Sequence, residues 1–239
     1  IACLAGVKAA LRFVKKDLSK VKIVVNGAGA AGANIARLLY LAGARDITLM
    51  VSSGVLTKSY KRLDSLQAEL IDLLGQEGKS GNLAEIAKGA DVLLGVSAAG
   101  AFTEDILKNL AKDAIVFAMA NPVPEAMYDV MKACGVKVAG TGRSDAPNQI
   151  NNVNVFPGVF RGAIDVHASK INDEMKLAAA DALAALVSDE DLREDYVVAN
   201  AFDERVPLAV AKAVAEVAIK TGVARKSPKQ NVEDGSYGY

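Results

Sequence analysis

The feature that most constrains the fold of this 239-residue chain is the stretch KIVVNGAGAAGANIARLLYLAG (22–43). A short apolar run, typical of a buried strand, leads into Gly27, Gly29 and Gly32 at G-x-G-x-x-G spacing, and a helical pattern follows. In such a unit the first glycine makes the tight turn, the second lets a pyrophosphate approach the backbone, and the third lets the helix pack on the strand. The stretch predicts a dinucleotide-binding turn; the alternative is that the glycines serve only helix–sheet packing.

Apolar runs alternate with helical patterns along the first two thirds of the chain. The predicted strands are 22–27, 47–52, 91–97, 114–121 and 136–142. The predicted helices are 29–42, 59–74, 83–88, 103–111 and 124–133. Because the strand runs are apolar on both faces, they suit a parallel sheet covered by helices. We therefore predict an α/β fold with a doubly wound, mostly parallel Rossmann-type sheet flanked by helices.

After about residue 155 the strand patterns stop and long alanine-rich helical patterns follow, at 172–187 and 204–222. Such helices indicate close helix packing or a subunit interface. We expect one domain over 1–225, including these helices, and a polar tail over 226–239. The helical spacing of residues 1–14, without an initial Met, suggests that the chain begins inside a helix of a longer protein.

Charge and cysteine content exclude several classes of function. Lys and Arg together number 28, as do Asp and Glu, so the basic surface of nucleic-acid or anionic-membrane binders is missing. No apolar run reaches the roughly 18 residues that span a bilayer. Cys3 and Cys134 are far apart and form neither a disulfide framework nor a zinc-binding spacing. We expect a cytoplasmic protein with no nucleic-acid or membrane partner.

The end of the second strand leaves the choice of dinucleotide open. An acidic residue usually binds the ribose 2′-hydroxyl there, but this chain has Val51, Ser52 and Ser53. Asp46 opens the same strand and lies about 16 Å from its far end, so it is no substitute. With the basic residues nearby, the serines suit a 2′-phosphate; alternatively, the serines form only a loop and the basic residues a solvated helix face. Those basic residues are Lys58, Lys61 and Arg62.

Three further stretches follow strands at the predicted carboxyl edge of the sheet: GVSAAGAFT (95–103), FAMANPVPE (117–125) and GTGRSDAPNQINNVNVFPG (140–158). Open α/β sheets bind their ligands at that edge. Together with the glycine turn, these stretches resemble the cofactor-binding domain of malic enzymes, especially the bacterial type that includes malolactic enzymes. The resemblance runs from Ile1 to about Arg225.

The resemblance implies a role for several residues. Asn121 and Asn152 match asparagines that hold malate and the nicotinamide end of the cofactor, and a neutral amide can donate to a carboxylate without adding charge. From the residues alone, the alternatives are that Asn121 is only a turn residue before Pro122 and that Asn152 is only a loop cap. The other implied cofactor-binding residues are Gly27, Gly29, Ala30 and Gly32 at the pyrophosphate, Ser97 and Ala98 at the ribose and nicotinamide, and Ser52 and Ser53 at the adenosine ribose.

Three other residues have weaker claims to a role in the site. His167 lies in a helical pattern, GAIDVHASK (162–170), and a lone histidine is more often structural. Arg143 and Asp145 lie in the loop beside the presumed substrate. They either shape the site, or Arg143 simply pairs with a nearby carboxylate.

The resemblance implies a homo-oligomeric oxidoreductase that converts malate to pyruvate and CO₂ with NAD or NADP and Mn²⁺ or Mg²⁺. The metal ligands and the acid–base pair of that family are expected upstream of Ile1, so we expect no catalytic residue and no metal ligand in this chain, which alone is expected to be inactive. The alternatives are a malolactic enzyme, another two-domain dehydrogenase of the amino-acid type, and a dinucleotide-sensing module without chemistry.

Overall fold

A computed structural model describes residues 1–226 of the chain. All five predicted strands form and lie parallel in one sheet, and a short antiparallel strand extends one edge. The strands are β1 (Lys22–Asn26), β2 (Asp46–Val51), β3 (Gly54–Val55), β4 (Val92–Gly95), β5 (Ile115–Ala118) and β6 (Val138–Thr141). Their order is β3-β2-β1-β4-β5-β6. The predicted fold class is confirmed.

Helices cover both faces of the sheet. They are α1 (Ala2–Val14), α2 (Ala30–Leu41), α3 (Ser65–Leu73), α4 (Leu83–Ala87), α5 (Glu104–Lys108), α6 (Tyr128–Ala133), α7 (Phe156–Asp165), α8 (Asp173–Ala185) and α9 (Arg205–Lys220), with a short 3₁₀ helix at Asn152–Asn154. Val25 and Leu94 face one layer of the core and Val24 and Leu93 the other. Because successive residues of a strand point to opposite faces, burial on both sides explains why the strands are apolar throughout.

Two predicted helices start later than expected, and one strand was missed. Helix α3 begins at Ser65 because the Asp64 side chain accepts a hydrogen bond from the Gln67 amide (2.8 Å) and thereby caps the helix there. Residues 59–64 are therefore loop. Helix α6 begins at Tyr128, and the segment before it is loop. Strand β3 was missed because only two residues pair with β2 across a tight turn.

The C-terminal helices pack closely on each other and on α1. Alanines of α8 and α9 are buried, which confirms close packing as their role. A Cβ placed on Gly162 of α7 would lie 2.3 Å from the Ala211 carbonyl oxygen of α9, so only glycine allows this approach. The helix predicted over 204–222 ends at Lys220, and Gly222, just beyond it, has a positive φ of 71°. Beyond Lys226, the predicted tail lies outside the described residues.

The order of the strands places a crevice at the carboxyl ends of β1 and β4. The chain winds outward from β1 to β2 on one side and from β4 to β6 on the other, so the two central strands mark the switch point where doubly wound sheets bind ligands. Asn26 and Gly95 are paired neighbours there. Within residues 1–226, every helix is too short or too polar to cross a membrane.

Candidate functional site

The three glycines of the turn meet three different demands. Gly27 has φ of 113°, a left-handed conformation that favours glycine. Gly29 caps α2, and a Cβ placed on it would meet nothing within 4 Å. A Cβ on Gly32 would lie 1.7 Å from the Gly27 carbonyl oxygen, so the helix can reach the strand only through glycine. This geometry matches the predicted division of roles.

The start of α2 suits an anion. No side chain caps the helix, so the amides of its first turn, beginning at Ala30, lack an intrahelical acceptor. They lie beside the open space over Gly29, and the positive end of the helix dipole points the same way. The free amides and the helix dipole favour the negative charge of a pyrophosphate, and the open space over Gly29 leaves room for it.

One cleft opens on the β2 side of the glycine turn. This serine cleft is a cavity of about 310 Å³ whose lining includes Ser52, Ser53, Ser97, Ala98 and Gly27. Ser52 and Ser53 are exposed in the turn between β2 and β3. The structure thus brings the predicted serines from two separate loops to one cavity next to the turn.

A buried carboxylate that the sequence analysis missed holds Ser97, a lining residue of the serine cleft. Glu125 is fully buried, and its carboxylate accepts hydrogen bonds from the Ser97 amide (2.7 Å) and hydroxyl (3.3 Å) and from the Ala120 amide (3.0 Å). Asn26 donates to the Ser97 hydroxyl (2.8 Å). A Cβ on Gly95 would lie 2.4 Å from the Glu125 carboxyl carbon. Glu125 therefore ties together the loops that follow β4 and β5.

A second cleft opens on the other side of the turn. This asparagine cleft is a cavity of about 390 Å³ whose lining includes Asn34, Asn121, Asn151, Asn152 and Lys176. The predicted pair Asn121 and Asn152 thus lies in one cavity. Both are exposed, and within residues 1–226 the Asn121 side chain makes only a long hydrogen bond to the Met119 carbonyl (3.5 Å). Their amides are available to a ligand.

The other asparagines of the NQINNVN run are structural. Asn148 is buried, donates to the carbonyls of Ala139 (2.9 Å) and Glu194 (2.8 Å), and accepts from the Val197 amide (2.8 Å). Asn154 is buried and donates to a backbone carbonyl of the same downstream region. These two side chains hold the loop that carries Asn151 and Asn152.

Lys176 of α8 is a lining residue that sequence reasoning missed. Its ammonium group lies 3.0 Å from an Asp173 carboxylate oxygen, and Asp173 also pairs with Arg37 of α2. The Arg37–Asp173 pair links α2 to α8, and Lys176 places a positive charge at the asparagine cleft. No local signal distinguishes this lysine from the others on helix surfaces.

The basic residues after β2 do not form a helix face, contrary to one of the two predicted alternatives. Lys61 and Arg62 lie in the loop before α3, whereas Lys58 pairs with Asp72 (2.5 Å) and does not line the same cavity. We call that cavity, of about 440 Å³, the basic cleft. It is lined by Ser53, Val55, Thr57, Ser59, Tyr60, Lys61 and Arg62.

The weaker candidates lie apart from both clefts. Arg143 and Asp145 form a two-bond ion pair (2.8 and 2.5 Å), which confirms the simpler alternative for Arg143 and lowers the pKa of the Asp145 carboxyl. His167 is exposed and follows α7 with φ of 50°. Its predicted helical setting is wrong, because the helix ends at Asp165. Asp46 opens β2, as expected.

Both cysteines are free thiols. Cys3 is buried in α1, and burial raises its pKa to about 12. Among residues 1–226, no three His, Cys, Asp or Glu side chains are grouped so that they could hold a metal ion.

Comparison with known proteins gives one consistent family. Residues 1–219 match the family model described as malic enzyme, NAD binding domain. The bifunctional malic/malolactic enzyme of Bacillus subtilis (strain 168) is 49% identical over 226 residues, which are 94% of this chain and 55% of that protein. The NAD-dependent malic enzyme of Geobacillus stearothermophilus is 43% identical, over 99% of this chain and 49% of that protein. The names of other relatives specify NADP.

The fold agrees with these sequence matches. The crystal structure of malic enzyme from Pyrococcus horikoshii Ot3 superposes with a TM-score of 0.89 at 37% identity, over 95% of this chain and 55% of that one. This chain spans about half of the length of these three proteins.

Proposed function

Since the chain belongs to the malic enzyme family through its NAD-binding domain, we propose that it is the cofactor-binding part of an oxidoreductase that converts malate to pyruvate and CO₂ with NAD or NADP. In this reaction a hydride leaves C2 of malate for the nicotinamide ring, and the resulting oxo acid loses CO₂. The role of this chain is to bind and orient the dinucleotide and one side of the substrate.

One observation carries the proposal: two clefts flank an open glycine turn at the switch point of the sheet. A dinucleotide has the same layout, since two nucleosides flank a pyrophosphate. We place the pyrophosphate at Gly27, Gly29, Ala30 and Gly32, and the adenosine in the serine cleft. The nicotinamide then reaches the asparagine cleft.

Within the asparagine cleft, Asn121 and Asn152 serve malate. Their neutral amides can donate hydrogen bonds to a carboxylate or a hydroxyl without placing a charge beside the ring that accepts the hydride. Unlike these neutral amides, Lys176 carries a positive charge, which offsets the negative charge of the dicarboxylate. Ser97 and Ala98 border the cofactor from the serine cleft, and Val96 from the asparagine cleft.

That the reaction uses a divalent ion is a separate proposal. Mn²⁺ or Mg²⁺ prefers several oxygen ligands, and the described residues hold no grouped set of His, Cys, Asp or Glu side chains for it. The described residues 1–226 therefore do not fit the ion, and we assign no step to it.

We also propose that the protein acts in the cytoplasm as a homo-oligomer. The two free cysteines support a reducing compartment. An apolar row on α7, formed by Phe156, Phe160 and Ile164, is exposed by 43%, 51% and 67% and supports an interface between copies. Sedimentation analysis of the full-length protein tests this assembly; a monomer at micromolar concentration would contradict it.

The first experiment incubates the full-length gene product with L-malate, Mn²⁺ and either NAD⁺ or NADP⁺, and identifies products by chromatography while reduced cofactor is followed by absorbance. Pyruvate with reduced cofactor supports the proposal. Lactate without net reduction indicates a malolactic enzyme instead. Unchanged malate in every mixture contradicts the proposal and leaves the sensing module and the amino-acid-type dehydrogenase as the functions to test.

The substrate role is tested by Asn152→Ala in the same protein. We expect the KM for malate to rise at least about tenfold, the effect of one lost hydrogen-bonded contact to a charged group, while the dissociation constant of the dinucleotide changes little. Asn109→Ala, at an exposed asparagine after α5, is the control. Equal losses of malate and dinucleotide affinity would contradict a substrate role for Asn152.

A further inference from the structure

We infer that the basic cleft is a binding site for a phosphate monoester, the 2′-phosphate on the adenosine ribose of NADP, and that this chain binds NADP in preference to NAD. The inference rests on the proposed function, because the ribose must first lie in the serine cleft.

The two clefts share a wall. Ser53 lines both the serine cleft and the basic cleft, and it lies in the turn directly after β2. In dinucleotide-binding sheets the adenosine ribose presents its 2′ position to the end of this strand. A substituent on the 2′ oxygen would therefore point across Ser53 towards the basic cleft.

The end of β2 lacks the group that normally selects NAD. A carboxylate there accepts a hydrogen bond from the 2′-hydroxyl and repels a 2′-phosphate. Here the last residue of the strand is the half-buried Val51, whose side chain has no polar atom, and the exposed Ser52 follows. Neither residue opposes a doubly charged phosphate.

The basic cleft also carries cationic side chains that attract a phosphate. Lys61 and Arg62 are exposed, and neither forms an ion pair or a side-chain hydrogen bond within residues 1–226. The lining also carries hydroxyl groups of Thr57, Ser59 and Tyr60 and no carboxylate. Guanidinium and ammonium groups with nearby hydroxyls are the donors that bind phosphate monoesters.

Carboxylates close to the cleft in sequence are already engaged. Asp64 accepts a hydrogen bond from the Gln67 amide (2.8 Å), Asp72 pairs with Lys58, and Glu77 accepts from the Lys58 amide (3.2 Å). This distinguishes Lys58 from Lys61, although the two lysines are three residues apart.

The loop that forms the basic cleft is held in place from both ends. At one end the Leu56 amide donates a hydrogen bond to a carbonyl of β2. At the other end the Gln67 side chain donates a hydrogen bond to the Ala28 carbonyl of the glycine turn (2.8 Å). The cationic residues are therefore attached to the same framework that carries the pyrophosphate site, so a ligand need not order the loop from a random state.

Calorimetric titration of the full-length protein tests the inference. The ligands are NADP⁺, NAD⁺, 2′,5′-ADP, 5′-ADP and inorganic phosphate. We expect NADP⁺ to bind at least about tenfold more tightly than NAD⁺, and 2′,5′-ADP more tightly than 5′-ADP, because one charge-assisted contact is worth about this factor. Inorganic phosphate should not compete at millimolar concentration.

Variants locate the effect. The double variant Lys61→Gln/Arg62→Gln should reduce the ratio of NAD⁺ to NADP⁺ dissociation constants at least about tenfold, whereas Lys58→Gln removes the same charge nearby and should leave the ratio within about twofold. Val51→Asp should shift the preference towards NAD⁺. Circular dichroism confirms that each variant is folded.

The outcomes separate this inference from the proposed function. If both dinucleotides bind with equal affinity, or if Lys58→Gln changes the ratio as much as the double variant, the inference is wrong and the proposed function stands. If inorganic phosphate competes as well as 2′,5′-ADP, the cleft is a site for free phosphate and the inference is again wrong. If neither dinucleotide binds, the proposed function fails and takes this inference with it.

Discussion

The serine cleft and the asparagine cleft lie on opposite sides of one glycine turn, yet they are built differently. All lining residues of the serine cleft lie between Asn26 and Ala101, mostly at the ends of β1, β2 and β4. The asparagine cleft combines α1, α2, the loops after β4, β5 and β6, and Lys176 of α8. The lining of the serine cleft comes from the first half of the chain, whereas the asparagine cleft also requires a residue of the C-terminal helices.

This difference decides what can damage each cleft. The serine cleft depends on close backbone approach and on one buried carboxylate, so small changes to glycines or to Glu125 should affect it strongly. The asparagine cleft depends on buried anchors behind its exposed asparagines, so substitutions at the anchors and at the exposed asparagines should have separable effects.

The largest expected effect comes from the turn that both clefts share. Gly32→Ala should lower the free energy of unfolding by about 3 kcal/mol or more, because its Cβ would overlap the Gly27 carbonyl oxygen and α2 would have to move. Urea unfolding of the 239-residue chain measures the change.

Gly29→Ala is the matched control. Its Cβ enters open space, so the loss of stability should stay near the roughly 1 kcal/mol of a poorer helix cap. It should nevertheless weaken dinucleotide binding, because that space is where we place the pyrophosphate. Equal stability losses in the two variants would break the division of roles within the turn.

Glu125→Ala should follow, with a loss of about 2 to 3 kcal/mol, since the buried amides of Ser97 and Ala120 would lose their acceptor. Glu125→Gln keeps the shape and one acceptor, and should cost less. Hydrogen exchange of the two amides should quicken in the alanine variant. Unchanged exchange would show that Glu125 does not hold these loops.

On the asparagine side, Asn148→Ala should cost about 2 kcal/mol, because the three hydrogen bonds of a buried side chain are lost. Asn152→Ala removes an exposed side chain and should change stability by less than about 0.5 kcal/mol. Denaturant unfolding compares the two. Similar values would mean that the run of asparagines is not divided into anchors and ligating groups.

The smallest expected effect concerns α1, which forms one wall of the asparagine cleft. Burial raises the pKa of the Cys3 thiol to about 12, so at pH 8 it stays protonated and should not react with a disulfide reagent in the native state. The half-buried Cys134 should account for any fast native reaction, which Cys134→Ser removes. Fast modification of Cys3 at pH 8 would show that this wall opens.

Most of the fold was accessible from local patterns. Five strand runs and the glycine spacing predicted the parallel sheet and its dinucleotide turn, because strand burial on two faces and a strand–turn–helix unit leave marks within a few neighbouring residues. Elements shaped by side-chain capping or by two-residue pairing, such as the start of α3 and strand β3, were misplaced or missed.

The candidate site divides in the same way. Gly27, Gly29 and Gly32 could be assigned from spacing, since the demands on them are backbone demands of the local unit. The family resemblance added Asn121 and Asn152, and the structure brings them into one cavity. Their predicted roles in binding malate and cofactor remain predictions.

The amino-acid sequence by itself determined a parallel sheet and a glycine turn of the dinucleotide-binding type, because both follow from short-range periodicity and from the special conformations of glycine. Tertiary packing decided which asparagines turn inward, that Glu125 holds the loops after β4 and β5, and that, within residues 1–226, Lys58 forms an ion pair and Lys61 does not. These outcomes depend on contacts between segments that can be many residues apart, and a side chain carries no local mark of the partner that it will meet.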